Sequence, residues 1–281
     1  MTMTDVEAEA TAHDRAETAV PARLRADAVR LGYDGLVVVD GVTLDVPAGR
    51  VTVVVGPNGC GKSTLLRGLG RLLRPLGGSV LLDGDEIGTL RTREVARRLG
   101  LLPQQPIVPE GVSVLELVER GRHPHHGLFR TWSRTDEEAV VSALERTDLV
   151  HLAAVPVDSL SGGQRQRVWL AMVLAQATPV LLLDEPTSFL DIAHQLDVLD
   201  LVRRLCDESG TTVVMVLHDL AMAARYADHL VAMRDGRVVA EGPPADVVTP
   251  EVIEEVFGVA ATVLVDPASG APVVIPRRRT P

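Results

Sequence analysis

The stretch Val51-Thr-Val-Val-Val-Gly56-Pro-Asn-Gly-Cys60-Gly-Lys62-Ser-Thr64 decides how the rest of this 281-residue chain is read. Its first five residues are a β-branched run, the composition of a buried strand. Gly56, Pro57, Asn58, Gly59, Cys60, Gly61, Lys62, Ser63 and Thr64 then fit the phosphate-binding pattern G-x-x-x-x-G-K-[ST]. Leu65, Leu66, Leu69, Leu72 and Leu73 follow at helical spacing. Strand, glycine-rich turn and helix are the context that pattern needs. Backbone N–H groups wrap the phosphates, and the helix N-terminus aims its positive dipole end at them. Lys62 is the only lysine among 28 lysines and arginines. A compact ammonium on a thin stem reaches the β- and γ-phosphates through the loop, where arginine's planar fork would not fit. Ser63 offers its hydroxyl to Mg²⁺. Cys60 reads as a small residue that suits the loop.

Upstream, Leu36-Val-Val-Val39 and Val42-Thr-Leu-Asp-Val46 read as strands separated by a turn at Asp40-Gly41. Downstream, Val80-Leu-Leu82 is a strand ending at Asp83-Gly84, and Arg97 to Pro103 carries another. From Val112 to Thr178 the pattern turns helical. Val114, Leu115, Leu117 and Val118 form one apolar face, and Ala139, Val140, Val141 and Leu144 another, behind a cap at Thr135. Strand signals return at Val180–Leu183, Thr212–Leu217 and Leu230–Met233, separated by helices over His194–Cys206 and Leu220–Tyr226. Alternating strands and helices predict an α/β fold with a mostly parallel sheet covered on both faces. Two short apolar stretches around Asp266–Gly270 read as a terminal hairpin.

Val180-Leu-Leu-Leu-Asp184-Glu185 is a strand ending in two carboxylates, at the place where open α/β sheets bind ligands. Asp184 suits the Mg²⁺ shell, and Glu185 is placed to polarise an attacking water. Leu160-Ser161-Gly162-Gly163-Gln164 is a second anion site of the helix-start kind: Ser161 caps the helix and the glycines expose its N–H groups. One phosphate loop already serves one nucleotide, so the simplest role for a second site is on another copy's nucleotide.

In this order the motifs resemble the ATPase subunit of an ATP-binding cassette (ABC) transporter, over residues 24–259. The resemblance implies a P-loop core with a mostly parallel sheet, an antiparallel β subdomain and a helical insert at about residues 106–178. It implies ATP and Mg²⁺ as cofactors and a homodimer formed on ATP binding, with Ser161, Gly162, Gly163 and Gln164 as the signature that closes over the partner's ATP. Gln104 resembles the glutamine that senses Mg²⁺ and the attacking water; Gln105 beside it leaves that assignment open by one residue. His218 resembles the switch histidine at the γ-phosphate. Tyr33 falls where the family stacks an aromatic on adenine. Asp191, in Ser188-Phe-Leu-Asp191, resembles the D-loop aspartate, with Phe189 in place of the usual small residue. Lys62, Gln104, Glu185 and His218 are thus the expected catalytic set, and Ser63, Gln104 and Asp184 the expected Mg²⁺ set.

Gly121-Arg-His-Pro-His125, Gln164-Arg-Gln-Arg-Val-Trp169 and Phe189-Leu-Asp-Ile-Ala-His-Gln195 are similar to ATPases of iron–siderophore importers, related to cobalamin and haem importers. That branch implies a membrane permease, a substrate-binding lipoprotein acting through it, and a peripheral place on the cytoplasmic face of the membrane. His123, His125 and His126 lack a carboxylate or thiolate at ligand spacing and read as structural, near the permease contact.

Formal net charge is −10, which argues against broad affinity for nucleic acid or anionic lipid and leaves room only for a local basic patch; no nucleic-acid partner is expected. No apolar run approaches the roughly 18–20 residues that span a bilayer. Residues 1–23 read as a disordered acidic tail and 260–281 as an extension. Two distant cysteines, Cys60 and Cys206, give neither a disulfide frame nor a zinc site. About a hundred residues without a long heptad run separate the two glycine motifs, unlike the coiled coils of chromosome-repair cassettes. A single-cassette ATPase of iron–sulfur assembly stays open as a competitor.

Overall fold

The computed structural model describes residues 22–277 except 105, 107–109, 128–131 and 189. The expected acidic tail therefore lies almost wholly outside the described residues, as do Gln105 and Phe189. A six-stranded sheet runs in the order β10 (Arg237–Gly242), β9 (His229–Arg234), β3 (Val51–Val55), β8 (Thr212–Val216), β7 (Val180–Asp184), β6 (Leu99–Leu102). Neighbours from β9 to β6 are parallel and β10 is an antiparallel edge. Strands β3, β7 and β8 are buried at every position, as parallel strands covered on both faces must be. Register then sets the site. Val54 lies beside Val216, Val216 beside Asp184, and Leu183 beside Leu102. The chain segments that follow these four strands therefore leave the sheet at one edge, carrying Gly56, His218, Glu185 and Gln104.

Helix α1 (Lys62–Leu69) packs between that sheet and a four-stranded antiparallel one. The latter holds β1 (Ala22–Tyr33), β2 (Leu36–Pro47), β4 (Gly77–Leu82) and β5 (Asp85–Glu86), in the order β2-β1-β4-β5. Leu65, Leu66 and Leu69 share one core with Leu24, Leu31 and Leu44 on one side and Val54, Leu182 and Val214 on the other. At Gly68 a Cβ would come within 2.4 Å of Leu31 Cδ1, so glycine lets the helix lie on β1. The helix stops at Leu69, short of the predicted Leu72 and Leu73. Arg71 turns left-handed (φ 60) and leaves Leu72 63% exposed. The turn expected at Asp40-Gly41 is instead a bulge within continuous β2. Leu31 pairs with Val39 and Val29 with Val42, so Asp40 and Gly41 together oppose Arg30 alone, with Gly41 at φ 69.

Beyond β5, α2 (Thr92–Arg98) leads into β6. Between β6 and β7 the described residues hold α3 (Val114–Glu119), α4 (Arg134–Arg146), α5 (Gly162–Ala175) and short 3₁₀ turns, with one isolated bridge, Ser113–Pro156, in place of any strand. Val114, Leu117 and Val118 are buried, while Leu115 and Val141 face outward. The cap of α4 is Ser133, not Thr135: Ser133 and Asp136 form a capping box, leaving Thr135 inside the first turn. Asp136 also meets Arg122 (Nε–Oδ1 3.0 Å), both buried, and Arg122 Nη1 donates to Ala175 O at 2.8 Å. Burial works against the Asp136 charge, but hydrogen bonds from Ser133 and Arg122 outweigh it and hold the carboxyl far below the usual range. His125 Nε2 lies 2.8 Å from Gln176 O, and the His126 ring stands edge-on to Trp132.

The remaining helices are α6 (Ile192–Ser209), α7 (Leu220–Tyr226), α8 (Pro244–Val247) and α9 (Pro250–Phe257). β11 (Ala261–Val265) and β12 (Pro272–Pro276) pair as an antiparallel hairpin closed by Asp266 N to Ala271 O at 2.9 Å. Among the described residues no helix is long and apolar enough to cross a membrane.

Candidate active site

The loop after β3 needs its glycines. Gly56 has φ 152, and a Cβ there would sit 2.2 Å from Met233 O; Gly61 has φ 103. Gly61 is also the N-cap of α1, which has no side-chain cap and no acidic residue in its first turn. Its leading N–H groups are therefore left by the protein's side chains for an anion. Lys62 is 5% exposed, and its Nζ donates to Gly56 O (2.9 Å) and Pro57 O (3.0 Å). The ammonium is thus folded back along the loop it serves. Cys60 is buried on the opposite side, where its carbonyl accepts from Gly236 N at 3.0 Å and burial pushes its thiol up. It packs the loop, as a small residue there should.

Asp184 closes β7 with 2% exposure and accepts from Ser63 Oγ at 2.8 Å. Burial raises its pKa; Ser63 opposes the shift and the Glu185 charge adds to it. A buried carboxylate beside a hydroxyl, with a second carboxylate next in sequence, is a donor set that fits a hard divalent cation. Glu185 takes a left-handed backbone (φ 53), a strained conformation for glutamate. Its two oxygens are both engaged. Oε1 lies 2.6 Å from His218 Nε2, and Oε2 accepts from Gln104 Nε2 (2.8 Å) and Ser188 Oγ (2.9 Å). Burial would raise its pKa, but the bonds from His218, Ser188 and Gln104 outweigh it and keep the carboxyl below its ordinary value. The outcome is an ionised base held by three donors.

A cavity of about 360 Å³ collects these groups. Its walls include Asn58, Gly59, Lys62, Gln104, Glu185 and His218. Val38 of β2 is a further wall residue, one that the sequence reading did not single out, and Ser188 is a partner of Glu185 that it did not assign. An i, i+3 hydroxyl after a strand-end glutamate is the signal that could have found Ser188. Other expected residues lie elsewhere. Tyr33 ends β1 with 41% exposure, and its hydroxyl accepts from Arg67 Nη1 at 3.3 Å; it is not part of the cavity wall. Asp191 caps α6 through His194 N at 2.9 Å. Ser161, Gly162, Gly163 and Gln164 are also absent from the wall. Ser161 accepts from Gln164 N (3.2 Å) and donates its own N–H to Gln164 Oε1 (3.0 Å), a complete capping box on an outward-facing helix start.

The family model described as "ABC transporter" matches residues 39–188. Over 259 residues the chain is 52% identical to the ferric enterobactin transport ATP-binding protein of Escherichia coli (strain K12), covering 92% of this chain and 96% of that one. It is 43% identical over 252 residues to the iron(3+)-hydroxamate import ATP-binding protein of Bacillus subtilis (strain 168), covering 90% and 94%. A solved dimeric ATP-binding cassette in a post-hydrolysis state with ADP and Pi superposes with TM-score 0.70 at 28% identity, over 78% of this chain and 98% of that one.

Proposed function

This chain belongs to the ABC transporter family of ATP-hydrolysing cassettes, and from that premise we propose that it powers import of a ferric siderophore through a separate membrane permease. In this reading ATP lays its phosphates along Gly56–Thr64, where loop N–H groups and Lys62 meet them. Ser63, Asp184 and Gln104 are the residues that would hold Mg²⁺, which when bound would offset charge on the phosphates. Glu185 exchanges one of its three present donors for water, orients it in line with the γ-phosphate and accepts its proton. Lys62 and His218 counter the charge that develops on the transferred group. Tyr33 leaves Arg67 to stack on adenine, and Asp191 serves the contact between copies.

The observation that carries this reading is the split between two glycine-flanked helix starts, one uncapped and one fully capped. The start of α1 opens into the cavity with Glu185, while that of α5 faces outward and contributes nothing to the cavity wall. A second copy, turned head to tail, supplies Ser161–Gln164 from outside. The cargo rests on the two iron-carrier relatives. The place is the cytoplasmic face of the membrane, as a peripheral subunit beside the permease, with a binding lipoprotein delivering the chelate.

The test is uptake by a strain lacking this chain, offered ferric siderophore, cobalamin and haem, each labelled, with co-purification from the complemented strain. Loss of ferric siderophore uptake alone, and recovery of a many-helix permease, is the expected result. Loss confined to cobalamin or haem reassigns the cargo, and recovery of a soluble scaffold in place of the permease moves the chain to iron–sulfur assembly.

A further inference from the structure

The far end of α1 opens on a second cavity. It measures about 610 Å³ and lies between the segment that leaves the helix and strands β4 and β5. Eight residues of helix put it on the order of 12 Å along the axis from the nucleotide loop. Arg71, Arg74, Ser79 and Thr89 line it, with Glu86 at an exposed edge folded over Gly88. Of the nearby acids, Asp83 is paired with Arg23, and Asp85 and Glu94 with Arg98, while Glu86, the one acid of the wall, has no ion-pair partner among the described residues. Among the described residues neither Arg71 nor Arg74 has an ion-pair partner, and Arg71 Nη1 is shut off from solvent with no hydrogen-bond partner. A guanidinium nitrogen packed against protein without a partner is unfavourable as it stands, and the remaining donors of Arg71, on a half-buried side chain that lines the cavity, are free to meet an anion.

The backbone adds an independent sign. Arg71 holds the left-handed conformation (φ 60) that ends α1, a position suited to glycine, while Gly70 just before it sits at φ −82. The chain thus places a long cation where a glycine would relax it. Two planar guanidinium groups and the Ser79 hydroxyl match the several oxygens of a phosphate, which accepts from more directions than a carboxylate; the Thr89 hydroxyl already donates to Glu86 O at 2.8 Å. Leu72 (63% exposed) and Leu76 (57% exposed) flank the opening, so both a free phosphate and a phospholipid headgroup with its chains on the leucines are accommodated.

We propose that this cavity is a phosphate-binding site, built on Arg71 and Arg74 and separate from the nucleotide. The full chain, with its nucleotide loop saturated by Mg²⁺ and a non-hydrolysable ATP analogue, is titrated with inorganic phosphate and followed by ³¹P NMR. In parallel it is floated with vesicles of phosphatidylglycerol or of phosphatidylcholine. Arg71→Gly removes the guanidinium and relaxes the backbone, so loss of fold is not the expected outcome; Arg74→Ala is its companion. The expected result is binding by the wild type, weakened at least tenfold in both variants, with ATP hydrolysis unchanged. Binding of inorganic phosphate without flotation assigns a free anion. Flotation with phosphatidylglycerol alone, lost in Arg71→Gly, assigns a lipid headgroup. A wild type that binds neither, or an Arg71→Gly chain that binds as the wild type does, overturns the proposal. Because the nucleotide loop is occupied throughout, failure here leaves the ATPase reading standing.

Discussion

Two helices of this chain begin on glycine-rich turns, and the two beginnings are built from different chemistry. At α1 no side chain caps the helix, a buried lysine folds back over the loop, and Ser63 and Asp184 stand alongside. At α5 the cap is complete: Ser161 and Gln164 satisfy each other's backbone N–H groups on an exposed surface, with no acidic residue in the first turn. Their far ends differ too. α1 ends on the unpaired Arg71, whereas the C-terminus of α5 is gripped by Arg122, a cation at the negative end of the helix, held in turn by buried Asp136. The first start has charge and acid–base groups and is suited to hold phosphates by itself. The second offers dipoles and a hydroxyl on a rod pinned from behind, which suits closing on phosphates already bound.

The sharpest way to break this contrast is at Glu185. Glu185→Gln keeps the donors in place but removes the base, so turnover falls on the order of 10³-fold while ATP stays bound and a dimer accumulates. Steady-state hydrolysis and size-exclusion chromatography with ATP read the two effects; unimpaired turnover would remove the base assignment. Next in size is Asp136→Asn, which leaves Arg122 buried without its counter-charge. A loss of about 3 kcal/mol in urea unfolding is expected, centred on the segment that backs α5. The pH dependence has a definite sign. The folded carboxyl of Asp136 titrates below its unfolded value, so its contribution is whole above the ordinary carboxylate range, near pH 4, and is lost as pH falls through the depressed value. The gap between wild type and variant should therefore narrow as pH falls below about 4. The smallest effect belongs to Ser161→Ala. It removes one helix cap, worth about 1 kcal/mol, and should leave ATP affinity of the isolated chain unchanged by fluorescence titration. A fall in that affinity would mean that the two helix starts share one pocket within a single chain.

Much of this was legible beforehand because it rests on local rules. Gly56–Thr64 specifies its own turn, Ser161 and Gln164 carry the S-x-x-Q form of a capping box, and the apolar run into Asp184-Glu185 marks a strand end. What was not legible depends on partners far along the chain. Ser133 and Thr135 each have a cap-forming hydroxyl and an acid three residues on, Asp136 and Glu138. Only the buried Arg122, which takes Asp136, decides between them. Asp40-Gly41 has the composition of a turn, yet pairing along β1 continues through it and makes it a bulge. Leu72 keeps helical spacing, but Arg71 has already turned the backbone out of the helix. Two of the three donors on Glu185, Gln104 and His218, come from separate segments that only strand register brings to its edge.

The solitary ε-amine has a practical consequence. Reagents that seek primary amines find one side chain in the whole polypeptide, and it is tucked inside a loop between two carbonyls. Isotopic or methyl labels confined to lysine would then give a one-peak spectrum reporting directly on the fuel pocket, without mutagenesis to clear a background. Cellular acylation or ubiquitin transfer aimed at internal amines would likewise have a single address here, and reaching it would mean disabling the engine.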